Sequence, residues 1–412
     1  MRLKHLFNPL TAVALCLTMA LPAAAIDEAH KKQAEEMVTK AIAFLKTKQD
    51  KATGGWAVPP EGSKQPHLPA ITGLVINGLL LDPKADQSDP MILGGIKYML
   101  NFQQSDGGIY DKMLPSYNTA IVLSAISKST LAQAKDAVVP AQHFLRKLQY
   151  SEDSDATLGG GEAPRKVGRD HPFYGGVGYG KHGRPDLSNT QFMLQALQDS
   201  GVSPNDEAVK RALAFVQRTQ MLDEANDQPY ADKSRQGGFV YSTAENAESV
   251  DKQAGQSQAG VIEETLDDGT KVSRLRAYGS MTYAGFKSYL YAALPRDDAR
   301  VQAALGWIRK NYTLAENPGM GNDGMYYYLV TFSRALDAWG HETIDILKTT
   351  TDADGKSTQA TEQRDWANDL IDRLAQLQNP DGSFKSIDKR WMEDNAELIT
   401  AYALIALQQA TH

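Results

Sequence analysis

One three-part unit recurs six times along this chain: an amphipathic helical segment, a Gly-rich turn, and then a more uniformly apolar helical segment. The turns read KQDKATGGW (48–56), QQSDGGIY (103–110), LQYSEDSDATLGGG (148–161), SRQGGFVY (234–241), GNDGMYYY (321–328) and LQNPDGSF (377–384). A helix pair of this size cannot bury its apolar surface alone, so neighbouring copies must stack on one another. That requirement constrains the fold more than any other feature of the sequence.

The segments before the turns lie near Glu35–Gln49, Leu93–Gln104, Val138–Gln149, Ala208–Gln220, Ala299–Tyr312 and Trp366–Gln378. Apolar residues recur in them at helical spacing, as with Val209, Leu213 and Val216, while Lys, Arg, Asp and Gln fill the opposite face. The segments after the turns, near Pro69–Leu80, Tyr117–Ile126, Asn189–Leu197, Thr282–Ala292, Tyr326–Trp339 and Ala396–Leu407, are apolar or small around most of their circumference. A helix of that kind is buried on all sides, so these should form an inner ring with the amphipathic helices outside it. The expectation is an all-α chain, an (α/α)6 toroid of six outer/inner helix pairs over residues 26–412, with long loops at about 150–187, 242–280 and 341–364. An open superhelix would need polar capping repeats, and neither end of the chain differs from the middle.

Within each turn, Gln often ends the helix, Asp or Asn and Gly reverse the chain, and an aromatic residue usually follows. Gly supplies the positive φ that follows a helix end, and Asp bonds its own backbone. The turns are therefore read as structural.

Residues 1–25 show a leader pattern: Arg2 and Lys4, an apolar run from about Leu10 to Leu21, then Ala23, Ala24 and Ala25. An exported protein, periplasmic or extracellular and cleaved after Ala25, is expected. Cys16 is the only cysteine and lies in the leader, so the remainder has no disulfide, thiolate ligand or cysteine nucleophile. The 50 acidic residues outnumber the 43 basic ones and no basic tract is present, which argues against nucleic acid as a partner. After removal of the leader, no segment reads as a transmembrane span. The histidines lack metal-ligand spacing and no cofactor motif occurs, so neither metal nor cofactor is expected. Asp352, Asp354 and Gly355 start like a calcium loop, but Gln363 stands where the closing acid would be.

The recurrent Gln, Asp-Gly-Gly and aromatic turns resemble the repeats of squalene and terpene cyclases and of protein prenyltransferase β subunits. This resemblance implies the (α/α)6 toroid and a central cavity. In the class II cyclases an Asp-x-Asp-Asp-Thr motif opens an inner helix and its middle Asp protonates the polyene. The counterpart is Asp186-Leu187-Ser188-Asn189-Thr190, where Ser188 and Asn189 replace the second and third acids. A serine hydroxyl cannot protonate an alkene, so that chemistry is not expected. Ser188 with Gln191 also fits a capping box, as does Asp394 with Glu397. The prenyltransferase zinc set is absent too, since its Cys is missing and Asn189 stands near the place of its His.

Polar and aromatic residues gather ahead of the inner helices. The insertion 168–190 holds Asp170, His171, Tyr174, Tyr179, His182, Arg184 and Asp186 beside several glycines, and it reads equally well as another turn of the repeat. The insertion 242–280 ends in Arg274, Arg276, Tyr278 and Ser280. The cavity set is Tyr174, Tyr179, His182, Arg184, Asp186, Asn189, Arg276, Tyr278, Tyr283, Tyr327 and Tyr328, and the candidates for chemistry are Asp186, Tyr283 and Lys287. Two functions follow. One is a cavity that holds a small apolar or isoprenoid-like ligand without cyclase protonation. The other is different chemistry on the same scaffold, such as a lyase on a polymeric acidic glycan, with Arg274 or Arg276 on a carboxylate and Lys287 or a Tyr moving the proton.

Overall fold

The computed structural model describes residues 26–155, 157–158, 166–179, 183–266, 268–351 and 357–411. The expected leader, His182 and Asp352–Gly355 lie outside them.

Helices occupy all twelve expected positions. The outer set is α1 (Glu28–Lys48), α3 (Pro90–Leu100), α5 (Ala132–Leu148), α7 (Glu207–Thr219), α9 (Ala299–Asn311) and α11 (Trp366–Leu377). Alternating with it are α2 (Pro69–Leu80), α4 (Pro115–Ile126), α6 (Leu187–Asp199), α8 (Gly279–Tyr291), α10 (Met325–Trp339) and α12 (Ala396–Ala410). The second set packs in cyclic order, α2 on α4, α4 on α6, α6 on α8, α8 on α10 and α10 on α12, and α12 returns to α2. Every residue of α2 is buried, whereas α7 buries only a stripe that includes Ala208, Val209, Ala212, Phe215 and Val216. Full burial and one-sided burial are what the two sequence patterns require.

Five of the outer helices start on an Asp whose carboxylate accepts a first-turn amide: Asp27, Asp89, Asp206, Asp298 and Asp365. These caps satisfy donors that would otherwise be free.

The turn signature has a physical meaning that reaches across repeats. Gln49 Nε2 donates to Gly54 O in its own turn and to Met91 O in α3, each at 2.8 Å. Gln149 does the same to Gly175 O and Ala208 O, Gln220 to Gly237 O and Arg300 O, and Gln378 to Gly382 O and Met37 O. Each Gln thus ties its turn to the next outer helix, at the first turn in three cases and in mid-helix at Met37, where Gln378 joins the last repeat to the first. Gly175, at φ +86°, packs so tightly that a Cβ there would lie 1.7 Å from Arg211 O. The residue that plugs the turn is held from the inner helix: the amides of Trp56, Ile109, Val177 and Phe239 donate to the hydroxyls of Thr72, Thr119, Thr190 and Thr282.

Two features differ from the sequence expectation. In the third repeat, the turn glycine that Gln149 grips is Gly175, within 168–190 and beyond the expected turn 148–161. The chain is also not wholly α. Two antiparallel hairpins stand in the expected loops, β1 (Val261–Thr265) with β2 (Lys271–Leu275), and β3 (Thr343–Thr351) with β4 (Ser357–Asp365), in register Val261↔Leu275 and Thr343↔Asp365. Their strands are mostly exposed and rich in Thr and charge, with Ile344 and Ile346 of β3 packed on the core, so the apolar alternation is too short to mark them. Among the described residues no helix is long and apolar enough to cross a membrane.

Candidate functional site

All six inner helices begin on the same side of the ring, and their N-terminal turns enclose a cavity of about 290 Å³. Leu68 and Ile71 of the α2 turn, Leu114 and Tyr117 of α4, Ser188 and Phe192 of α6, Tyr278 and Met281 of α8, Gly324 and Tyr327 of α10, and Leu398 and Tyr402 of α12 face it. Tyr179, Tyr241 and the segment Trp391–Glu393 complete the wall. The rings form a continuous chain: Tyr117 stands edge-on to Phe192 at 5.5 Å between centroids, Phe192 meets Tyr327 at 5.9 Å, and Tyr327 meets Tyr402 at 6.4 Å. Edge and tilted contacts at these distances are the favoured aromatic geometries.

Hydroxyls knit the same wall. Tyr327 Oη lies 3.0 Å from Ser188 Oγ and accepts from Gln191 Nε2 at 3.2 Å, while Tyr117 and Tyr402 share a longer contact of 3.5 Å. Burial pushes all of these phenols above the usual tyrosine range, so they act as neutral donors and ring faces.

Two carboxyls belong to the site. Asp186 is the N-cap of α6 and sits just behind the wall, with Tyr241 Oη directed at it. Burial raises its pKa to about 6 against the lowering effect of the Asn189 amide, the Asn189 side chain and nearby Arg184. Glu393 faces the cavity and caps α10 from outside that helix, accepting the Tyr326 amide at 3.1 Å and the Tyr327 amide at 2.9 Å. It is 1% exposed, and burial raises its pKa to about 7 despite those two donors and the Met325 amide.

Tyr179, Tyr278 and Tyr327 line the cavity, and Asp186 and Asn189 stand immediately behind it. The other expected site residues among the described ones do not belong to that wall. Tyr174 is buried in the turn 171–177, where it bonds His171 O through its amide. Arg184 lies over the Tyr241 ring at 5.1 Å and donates to Glu245 O. Arg276 is exposed beside the β1–β2 hairpin, and Arg274 pairs with Glu264. Tyr328 follows Tyr327 by one helical step of about 100° and so turns away from the lumen, where it bonds Thr313 O and packs on Tyr283 and Phe332. Tyr283 is part of that packing and not of the cavity. Lys287 lies nine residues below Tyr278, roughly 13 Å along α8 at 1.5 Å per residue, and donates to Gln191 Oε1 at 2.6 Å and Gln195 Oε1 at 2.9 Å.

The expected capping boxes are also replaced: Asp186 caps α6 in place of Ser188, which is left free for Tyr327, and Asn395 caps α12 in place of Asp394. Sequence reasoning missed Glu393 as a wall residue, together with Trp391 and Met392. Both of the latter have left-handed φ, 55° and 66°, are 46% and 44% exposed, and still line the cavity. A Trp close to an acid just ahead of an inner helix was the available signal.

No protein-family model matches the sequence, and no curated protein matches it. Among solved structures the chain is similar to a novel alpha-amylase from Clostridium perfringens, at 11% identity over 90% of this chain and 97% of that one, with a TM-score of 0.52. It also aligns with the type II terpene cyclase MstE from Scytonema in its apo form, at 14% identity over 92% and 99% of the two chains, with a TM-score of 0.32. The amylase likeness concerns the fold alone.

Proposed function

We propose that this chain is an exported (α/α)6 toroid, terpene-cyclase-like in its repeats, that binds a small apolar or isoprenoid-like ligand in its central cavity without protonating it. The observation that carries this reading is the aromatic cavity into which the N-terminal turns of all six inner helices face. Its size bounds the ligand. An apolar cavity of about 150 Å³ accepts benzene, so one about twice as large suits roughly ten to fifteen non-hydrogen atoms. Non-protonating behaviour is supported by Asp186, whose two oxygens are both engaged by Asn189 and which stands behind the wall. The glycan reading draws no comparable support, because Arg274 is paired with Glu264 and Lys287 is sequestered among glutamines.

Native mass spectrometry of mature protein purified from the envelope of its own cells tests this. A retained apolar mass should disappear in Tyr327→Trp, which fills the lumen, and persist in Tyr283→Phe, which changes only the wall. Protein that is consistently empty, or a ligand unaffected by Tyr327→Trp, would refute the cavity as the binding site. N-terminal sequencing of the same sample checks export, with Ile26 expected as the first residue.

A further inference from the structure

The charge character of the cavity narrows the ligand further, and this step rests on the ligand-binding reading above. Six helix N-termini converge here, which by itself would favour an anion. In five of the six, however, the leading amides are already taken, and α4, which has no side-chain cap, starts on Pro115, a residue without an N–H. Ala70 N in α2 donates to Asn118 Oδ1, Asn189 N in α6 to Asp186, Gly279 N in α8 to Pro318 O, Ser280 N to Asn317 Oδ1, and Leu398 N in α12 to Asn395 Oδ1. In α10 the amides of Tyr326 and Tyr327 are held by Glu393. An anion entering the cavity would find few free backbone donors. Nor would it find a cation, because among the described residues no Lys or Arg lines the space. At the rim, Arg390 is spent on Asp323 at 2.7 Å and Gln258 at 2.8 Å.

What the cavity does present is tyrosine faces, the Trp391 ring, over which Arg390 already lies at 4.3 Å, and a single carboxyl. The Glu393 carboxylate accepts the Tyr326 and Tyr327 amides, with the Met325 amide as a third backbone contact, and of its about four lone pairs at least one is left over. Ring faces attract cations, and do so more strongly in a desolvated site. We propose that the ligand of this cavity carries a cationic amine or ammonium head group, seated against the Glu393 carboxylate and the surrounding ring faces, with an apolar tail among Leu68, Ile71, Met281 and Leu398. The ion pair would offset part of the desolvation cost that an isolated buried carboxylate bears.

Three single-chain probes of equal length separate the possibilities: n-decylamine, n-decanol and sodium n-decanoate, each below its aggregation concentration. Calorimetric titration at pH 8, above the raised Glu393 value of about 7, leaves both the amine and the carboxyl charged. Decylammonium is expected to bind about tenfold more tightly than decanol, with decanoate weakest, and Glu393→Gln should abolish the amine preference while decanol binding persists. Equal binding of amine and alcohol in the wild type, or tightest binding by decanoate, overturns the proposal and leaves the apolar-ligand reading standing. Amine preference that survives Glu393→Gln in a folded variant overturns the role of the carboxylate. If none of the three probes binds, the apolar-ligand reading fails and this proposal fails with it.

Discussion

The Asp186 carboxylate takes both donors of Asn189, the backbone amide on one oxygen and the side-chain carboxamide on the other, each at 2.8 Å. This closes the first turn of α6 inside the ring, where a free amide could not reach water. Asn189 Oδ1 is itself buried without a partner. Asp186→Asn should therefore be mild, because the new amide can keep the cap and the Asn189 carboxamide can turn its oxygen toward the new donor. We expect it to change stability by less than about 1 kcal/mol at pH 7.5. Asp186→Ala removes the cap and strands buried donors, at a cost of about 2–4 kcal/mol. Urea unfolding of both variants checks the difference.

Asp186 and Glu393 together give stability a defined slope with pH. Both folded pKa values, about 6 and about 7, lie above the unfolded values of about 3.9 and 4.3. Between these limits the folded protein binds more protons than the unfolded chain, so the contribution of each group falls as pH rises and levels off above the folded pKa. Glu393→Gln should remove its share, on the order of 2–3 kcal/mol between pH 5 and pH 8. Urea midpoints of wild type and variant at those two pH values measure it, and parallel slopes would show that Glu393 is not raised.

The helical frame was legible because burial imposes a period, and that period gave all twelve helices. What each recurring residue touches was less legible. Gln at the end of an outer helix reads as a helix stop, yet Gln49, Gln149, Gln220 and Gln378 each reach a carbonyl of the next outer helix. Periodicity shows that a residue recurs but not what lies beside it in space. The same limit applied to the site. Tyr327 and Tyr328 look alike in sequence, and only the phase of α10 sends one to the lumen and the other to the wall. Glu393 reads in sequence only as an acid ahead of the last inner helix, because its partners are backbone amides of another helix, 66 and 67 residues away.

The Gln contacts predict unequal losses. Gln378→Ala removes a bond to Met37 O that closes the ring between the last and first repeats, whereas Gln104 bonds only Phe102 O and Tyr110 O within its own turn. The first substitution should cost about 2 kcal/mol and the second about 1 or less. Differential scanning calorimetry should show the larger fall in Tm for Gln378→Ala.

Lys287 provides a test of where the site ends. It is fully buried, and burial holds its pKa well below the usual lysine range, with Arg334 adding to the effect. A base with a lowered folded pKa binds fewer protons in the folded state, so its contribution to stability rises with pH from that value up to the unfolded one of about 10.4. Lys287→Met should flatten this rise. At pH 7 the gain from removing a poorly solvated base is opposed by leaving Gln191 Oε1 without its donor, a loss of about 1–3 kcal/mol, so the net change there should be small. Because Lys287 lies well below the Tyr278 turn, a ligand seated among Tyr117, Tyr327 and Glu393 should be retained unchanged in the folded variant. Loss of that ligand, with the stability of the protein intact, would place the binding site deeper in the ring than the cavity at its N-terminal mouth.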